Sequence, residues 1–391
     1  MSNTKLSGWP LFTEEEGNKV RDVLLSNRVN YWTGQECRTF EKEFAEFTDS
    51  KHAIAVANGT VALDLALEAL GVGDGDEVIV TPRTFLASVS SVVNTGATPV
   101  FADVDLNSQN IEAHTIEQCL SPKTKAVVVV HLGGMPADMD AIMSLAEEHN
   151  FYVIEDCAQA HGAKYKGKSV GSIGHIGAWS FCQDKIMTTG GEGGMVTTND
   201  EELWSKMWSF KDHGKSWQAV YEKEHPPGFR WLHESFGTNW RMTEMQGAIG
   251  RIQLSRMEQW TTKRQNNAAK LDNVLKDFSC IRTVEVGQAF EHAEYKHYFF
   301  VNTSLLADGW TRDRIVEEVV SRGVPCFQGS CSEVYLEKAF DGTSFRPKSR
   351  LRNAQVLGET SIMMLVHPTL TDEEINLCAN VLRDVLLLAQ K

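Results

Sequence analysis

The stretch FYVIEDCAQAHGA, Phe151 to Ala163, decides the fold. Its apolar start reads as a short buried strand that ends on two carboxylates, Glu155 and Asp156, with Gln159 and His161 just beyond. In an α/β sheet, ligands bind in the crevice outside the carboxyl ends of parallel strands, so an acid at such an exit points into that crevice. On both sides of this stretch, strand-like and helix-like segments alternate from about residue 50 to 200, the pattern of a mostly parallel sheet flanked by helices. Further strands fit EVIVT, which ends at Thr81 and Pro82, then TPVFADVD, KAVVVVHL, GAWSF and GGMVTT. IEAHTIEQCL and ADMDAIMSLAEEH read as intervening helices, and Asn58 as the cap of another that carries Val61, Leu63, Leu65, Leu67 and Leu70. Continuous apolar runs such as Val127 to Val130 are what burial on two faces demands.

From Thr243 to about Leu275 the pattern turns helical and charged, a bridge to a second unit. A boundary near residue 260 divides the chain into a large domain, 1–260, and a smaller C-terminal α/β domain, 261–391. The second contains a strand in KHYFFVNT, a helix over Arg312 to Ser321 and a last helix begun by LTDEEINLCANVL. There Thr371 and Glu374 have capping-box spacing, and Ile375, Cys378, Val381, Leu382 and Val385 form one face. Gln218 to Gly237, with Pro226, Pro227 and several aromatics, reads as a long loop near the substrate entrance.

A chain of 391 residues buries a substantial core. With 38 basic and 52 acidic residues its net charge is -14, a field that repels nucleic acid and anionic membrane surfaces, so neither is an expected partner. An anionic small substrate is still compatible, because helix N-termini and local arginines outweigh the net field inside a cleft. The eight cysteines are scattered and read as reduced cytosolic thiols. Cys326 and Cys331 form the one close pair, without a second pair or a nearby histidine at zinc-binding spacing, so no metal is expected. MSNTKLSGWPLF lacks the basic and apolar regions of a signal peptide, and no run of about 18 apolar residues occurs. The expectation is a soluble, cytoplasmic protein.

A second stretch, SFCQDKIMTTGGEGGM from Ser180 to Met195, holds one lysine, Lys185, between an apolar strand-like run and a glycine-dense loop. A lysine amine forms an imine with an aldehyde only when unprotonated, and a partly desolvated site moves lysines towards that state. A surface lysine is the competing reading. Taken with Asp156, Lys185 completes the pair that pyridoxal phosphate needs, a lysine for its aldehyde and an acid for its pyridinium nitrogen. Asn58, Gly59 and Thr60 would set backbone N–H groups and a hydroxyl at a helix N-terminus, a seat for phosphate, with ordinary helix capping as the alternative. GVGDGDE, Gly71 to Glu77, lacks the G-x-G-x-x-G spacing and follows a helix rather than a strand, which removes a dinucleotide reading.

Six blocks, in order, resemble the DegT/DnrJ/EryC1/StrS family of sugar aminotransferases, fold-type I pyridoxal-phosphate enzymes. They are ANGTVALDLAL from Ala57, TPRTFLAS from Thr81, VVVVHLGGMPADMDAI from Val127, EDCAQAHGA from Glu155, SFCQDK with GEGG, and NWRMTEMQGAIG from Asn239. The resemblance implies pyridoxal 5'-phosphate as cofactor, its phosphate held by Gly59, Thr60 and Ser180, and by Asn239 from the other subunit of a homodimer with shared active sites. It implies Phe85 stacked on the ring, Asp156 at the ring nitrogen, Gln159 near the ring hydroxyl, and Lys185 as the lysine that holds the cofactor and moves the proton. Each has a plainer reading: core packing for Phe85, a helix-surface glutamine for Gln159, and, for His161, a histidine satisfied within the fold. One departure is TTGGEGG, where Gly190 is added before the usual Gly-Glu-Gly-Gly; it leaves the placement of Glu192 open. Trp32 to Gly34, Tyr295 to His297 and GSCSEVY from Gly329 fall where the family lines its sugar-nucleotide region, though small-domain packing explains each as well.

The implied activity is transfer of an amino group from L-glutamate to a nucleotide-linked keto sugar, a 4-keto-6-deoxy sugar before others. A 3-keto sugar or a keto sugar without a nucleotide are alternatives. Related dehydratases replace the lysine with histidine, and Lys185 speaks against that activity. A non-catalytic regulator of the same fold would have no need of Lys185, Asp156, Phe85 and Thr60 together.

Overall fold

A computed structural model describes residues 6–391; residues 1–5, the start of the expected large domain and of MSNTKLSGWPLF, lie outside the described residues. The first strands are β1 (His52–Val56), β2 (Glu77–Val80), β3 (Thr98–Phe101), β4 (Thr124–Val130) and β5 (Tyr152–Asp156). Two short strands, β6 (Lys164–Tyr165) and β7 (Lys168–Ser169), precede β8 (Ile176–Ser180) and β9 (Gly194–Thr198). Seven of these make one sheet ordered β1-β9-β8-β5-β4-β2-β3. From β3 through β8 the pairs are parallel, and β9 and β1 close the edge antiparallel. The fold is therefore α/β with a mostly parallel sheet, as the strand readings require. β1 carries little signal in the sequence, because HAIAV, rich in alanine, shows neither alternation nor a long apolar run.

Strand β4 shows how the sequence builds the layers. Ala126 and Val128 pack into the core beneath the helix Gly59–Ala69, while Val127 and Val129 pack into the one beneath the helix Met139–His149. The same alternation on β5 turns Asp156 and Glu155 to opposite faces. Glu155 is wholly buried and saturated: it accepts from the backbone N–H groups of Gly171, Ile173 and Gly174 and meets His131 Nε2 at 3.0 Å. Burial would raise the pKa of this carboxyl, but the bond to His131 and those backbone donors outweigh it and hold it below the usual range. His131 Nδ1 accepts from Ala137 N–H, so the buried Glu155–His131 pair ties neighbouring loops to the end of β5.

Beyond the bridge lie β10 (Ile281–Thr283), β11 (Phe290–Glu291), β12 (His297–Val301), β13 (Cys326–Phe327) and β14 (Ser361–Met364). A second, antiparallel sheet runs β10-β12-β14-β13, and β11 pairs instead with β6. The helices Met257–Leu275, Arg312–Ser321 and Asp372–Ala389 cover it, burying Leu271, Ile315 and Leu382 against Phe299 and Ile362. Thr371 and Glu374 form the expected capping box. The bridge is two helices, Glu244–Ser255 and Met257–Leu275, interrupted at Arg256. IEAHTIEQCL is helical only over Ala113–Glu117, since Pro122 soon after disfavours helix in the residue before it.

The described chain begins on the second unit. Leu6 joins its core, Ser7 N–H donates to Glu374 at 2.6 Å, and Trp9 packs edge-on against Trp260 before the helices Glu14–Leu25 and Glu36–Phe47 cross to the first sheet. Among the described residues, no helix is long and apolar enough to cross a membrane.

Candidate active site

A cavity of about 1020 Å³ opens at the carboxyl ends of β2, β5 and β8 and is walled on its far side by the second sheet. Gly59, Thr60, Phe85, Asp156, Gln159, Ser180 and Lys185 all line it. Asn239 does not: it is exposed and bridges to Asp212 away from its own chain's cavity.

One end of the cavity is the start of the helix Gly59–Ala69. Asn58 Oδ1 accepts from Val61 N–H at 2.9 Å, which satisfies one orphan donor of that helix and leaves the N–H groups of Gly59 and Thr60 facing the cavity end that both residues line. A Cβ on residue 59 would lie 2.5 Å from Ser180 Cβ, so only glycine lets the helix start approach the end of β8 this closely. Two N–H groups and the hydroxyls of Thr60 and Ser180 converge there, a set of donors suited to a phosphate.

Deeper in, Asp156 Oδ2 accepts from Ser88 Oγ at 2.8 Å and Oδ1 from Ala158 N–H at 3.1 Å. Thr84 Oγ1 stands 2.8 Å from Ser88 Oγ and steadies it. Each carboxylate oxygen keeps a lone pair for a further donor. Gln159 Oε1 is committed to Gly133 N–H at 2.9 Å, which leaves its NH2 end for the cavity. Phe85 holds its ring in the wall while 72% exposed, an apolar flat surface that a flat occupant would cover.

Lys185 sits on the turn after β8. Trp9 Nε1 donates to the Lys185 carbonyl at 2.8 Å, and Lys185 N–H donates to the Cys182 carbonyl at 3.1 Å, so the backbone at this lysine is fixed from two sides. Its Nζ stands 5.4 Å from the centre of the Tyr295 ring, and the Tyr295 hydroxyl donates to Asp184 Oδ2 at 2.5 Å. Burial would raise the pKa of Asp184, but the charge of Lys185 and the Tyr295 bond pull it below the usual carboxylate range. The glycine loop explains its extra residue: Gly190 and Gly191 both take positive φ, +90° and +120°, and Glu192 then reaches the cavity wall.

Other candidates fall elsewhere. His161 is buried between the rings of Trp179 and Phe181, and neither ring nitrogen has a hydrogen-bond partner among the described residues. Burial, with the charge of Lys185 adding to it, pushes His161 down to about 3, so it is neutral. Of the Trp32 to Gly34 segment nothing lines the cavity; Trp32 packs on Tyr31 and Trp208. Tyr295 and Lys296 line it but His297 does not, and of GSCSEVY only Gly329 and Ser330 do. Gln218 to Gly237 begins in a short helix, Trp217–Tyr221, and is otherwise irregular, with Phe229, Trp231 and Phe236 exposed. Sequence reading missed Ser88 and Asp184 beside the site, and the apolar wall of Phe327, Met363 and Leu365 from the second sheet.

The sequence profile described as the DegT/DnrJ/EryC1/StrS aminotransferase family matches residues 10–383. The chain is similar to an aminotransferase of Psychrobacter cryohalolentis whose X-ray structure is known, with 62% identity, a TM-score of 0.96, and coverage of 98% of this chain and 99% of that one. It is 36% identical to the GDP-perosamine synthase of Caulobacter vibrioides, over 95% of this chain and 96% of the relative. To the UDP-N-acetyl-3-dehydro-alpha-D-glucosamine 3-aminotransferase of Acidithiobacillus ferrooxidans it is 34% identical, over 94% and 95%.

Proposed function

The chain belongs to the DegT/DnrJ/EryC1/StrS aminotransferase family and is a pyridoxal-phosphate-dependent sugar aminotransferase, and from this we propose that it moves an amino group from L-glutamate to a nucleotide-linked keto sugar, a 4-keto-6-deoxy sugar before others. The observation that carries the reading is one cavity that holds Lys185, Asp156, Phe85 and the Gly59–Thr60–Ser180 donors together. Those residues fit pyridoxal phosphate: donors with no helix partner at one end, a carboxylate with spare lone pairs deeper in, an uncovered aromatic face and an amine. When bound, the cofactor supplies an aldehyde that takes up the amine nitrogen and an electron-poor ring.

In this reading Gly59, Thr60 and Ser180 hold the phosphate by backbone and hydroxyl donors. Asp156 would accept from the ring nitrogen and keep its proton in place, and Ser88 and Ala158 N–H keep that carboxylate oriented. Phe85 would offer its ring to one face of the cofactor, and the Gln159 NH2 would be free to donate to its hydroxyl. Lys185 would move a proton at Nζ, on a turn whose backbone Trp9 and Cys182 fix. The large domain, 1–260, supplies these groups, while the small one, 261–391, supplies the opposite wall. There Phe327, Met363 and Leu365 offer an apolar face that suits the methyl group of a 6-deoxy sugar.

Two relatives named for nucleotide sugars support a nucleotide-linked substrate, and one of them, named for a 3-amino transfer, keeps the 3-keto alternative open. With 3-keto and 4-keto sugar nucleotides and the free keto sugars offered beside glutamate, 2-oxoglutarate release is expected fastest with the 4-keto-6-deoxy nucleotide. Turnover confined to 3-keto sugars would overturn the regiochemistry, and turnover confined to free sugars the substrate class.

The proposal includes a homodimer whose sites are shared. Asn239 is exposed and does not line its own chain's cavity, and Phe229, Trp231 and Phe236 expose more aromatic surface on one loop than a lone chain ordinarily keeps. Lys185→Ala mixed with Asn239→Ala is expected to recover activity that neither parent has, because one of the two hybrid sites carries neither lesion. Absence of recovery after proven subunit exchange would count against sharing.

A further inference from the structure

Besides Lys185, Lys296 is the one cationic side chain in the cavity wall among the described residues. It stands just before β12, where strand alternation sends Lys296 and Tyr298 to the cavity. His297 and Phe299 face the other way, the first towards Glu294 and Asp272 and the second into the core of the second unit. The Lys296 ammonium has no hydrogen-bond or ion-pair acceptor among the described residues. It lies 4.7 Å from the centre of the Tyr295 ring, and Lys185 Nζ lies 5.4 Å from the same centre, so the two amines are at most about 10 Å apart. Lys296 also lines a second cavity, of about 420 Å³, bounded by Trp9, Met364 and His367, and Asp184 and Leu365 belong to both walls.

Burial pushes the Lys296 amine down to about 8, with Asp184 resisting and Arg264 and Lys185 adding to the fall. The amine is therefore still mainly charged at neutral pH, and a partly desolvated cation with no carboxylate in direct contact favours an anion beside it. The other charges that the described residues bring to the cavity, Asp156, Asp184 and Glu192, are negative and repel an acidic ligand. In a nucleotide-linked sugar the negative charge sits on the diphosphate, across the sugar from the ketone. An amino-acid donor instead carries amine and carboxylate on one short chain, which matches two amines that flank one tyrosine ring.

We propose that Lys296 anchors a carboxylate of the amino donor at the junction of the two cavities while the donor's amine is presented at Lys185. This rests on the reading of glutamate as donor. The holoenzyme separates the halves of the reaction: glutamate alone converts the cofactor, read by its absorbance, and the keto sugar converts it back. Lys296→Met is expected to raise the glutamate concentration for half-conversion by roughly tenfold or more, the loss of a charge-assisted hydrogen bond. The half-saturation for the keto sugar is expected to stay unchanged, and Lys296→Arg to restore glutamate affinity. Lys296→Gln, measured beside it with the circular dichroism of each variant, guards against an effect of misfolding. Glutarate, which has two acid ends and no amine, is expected to bind the wild-type holoenzyme in calorimetric titration and to lose that binding in Lys296→Met. The proposal falls if Lys296→Met weakens the keto sugar and spares glutamate, which would assign the lysine to phosphate, or if glutarate binds both proteins alike. If the wild type draws its amine from a different amino acid, the glutamate reading alone fails, and the same variants measured with that donor decide the role of Lys296.

Discussion

Lys185→Ala is expected to lower transamination on the order of a thousandfold or more, with the fold retained. Among the described residues, no other amine of the cavity that holds Asp156 is fixed on a turn at the exit of β8, by a Trp9 bond on one side and a Cys182 bond on the other. In the proposed reading its loss removes both the group that would hold the cofactor and the group that would carry the proton. Borohydride reduction of the holoenzyme followed by peptide mapping tests the first role directly. The phosphopyridoxyl label is expected on Lys185 in the wild type and nowhere in the variant. Lys296 is the real competitor, since it shares the Tyr295 ring and its amine is the easier to deprotonate than an ordinary lysine. A label on the peptide that contains Lys296 would transfer the assignment to it.

Asp156→Asn is expected to fold, bind cofactor more weakly and lose activity by about a hundredfold or more. An amide keeps the size of the carboxylate and one acceptor oxygen, yet it has no charge with which to hold a ring nitrogen protonated. The Ser88 hydroxyl is able to turn and serve an amide oxygen, which is why the fold is expected to survive. Near-normal turnover in this variant, with an unchanged cofactor spectrum, would remove Asp156 from the mechanism.

The sheet was legible wherever strands are buried on both faces. Val127 to Val130 could not be a surface element, and the acids that end β5 marked which end of the sheet binds. Gly59, Asp156 and Lys185 were legible because each joins a local pattern, a cap, a strand exit or a glycine loop, to a residue type with one chemistry. What stayed hidden depends on distant parts of the chain. Trp32 falls where the family lines its sugar-nucleotide region, but it packs on Trp208, and no local pattern distinguishes an aromatic in a core from one in a cleft. Ser88 reaches Asp156 across 68 residues of sequence. The direction in which Lys296 points is set by the register of β12 against β14, and register is a property of a pair of strands. Asn239 is harder still, because its proposed partner is in another copy of the chain.

The path of the opening residues has its own consequence. Leu6 is anchored among the C-terminal helices, Ser7 bonds to Glu374, and two residues on, the Trp9 indole reaches the backbone of Lys185. The segment is thus a tether with one foot in each core, and it closes the chain into a loop that brings residue 7 beside residue 374. Loosening of the second core would release the tether and with it one of the two bonds that fix the lysine turn, so the two halves are thermodynamically linked even though each has its own sheet. Activity should then be lost at the temperature where the weaker core first opens, ahead of any unfolding of the sheet that bears the lysine.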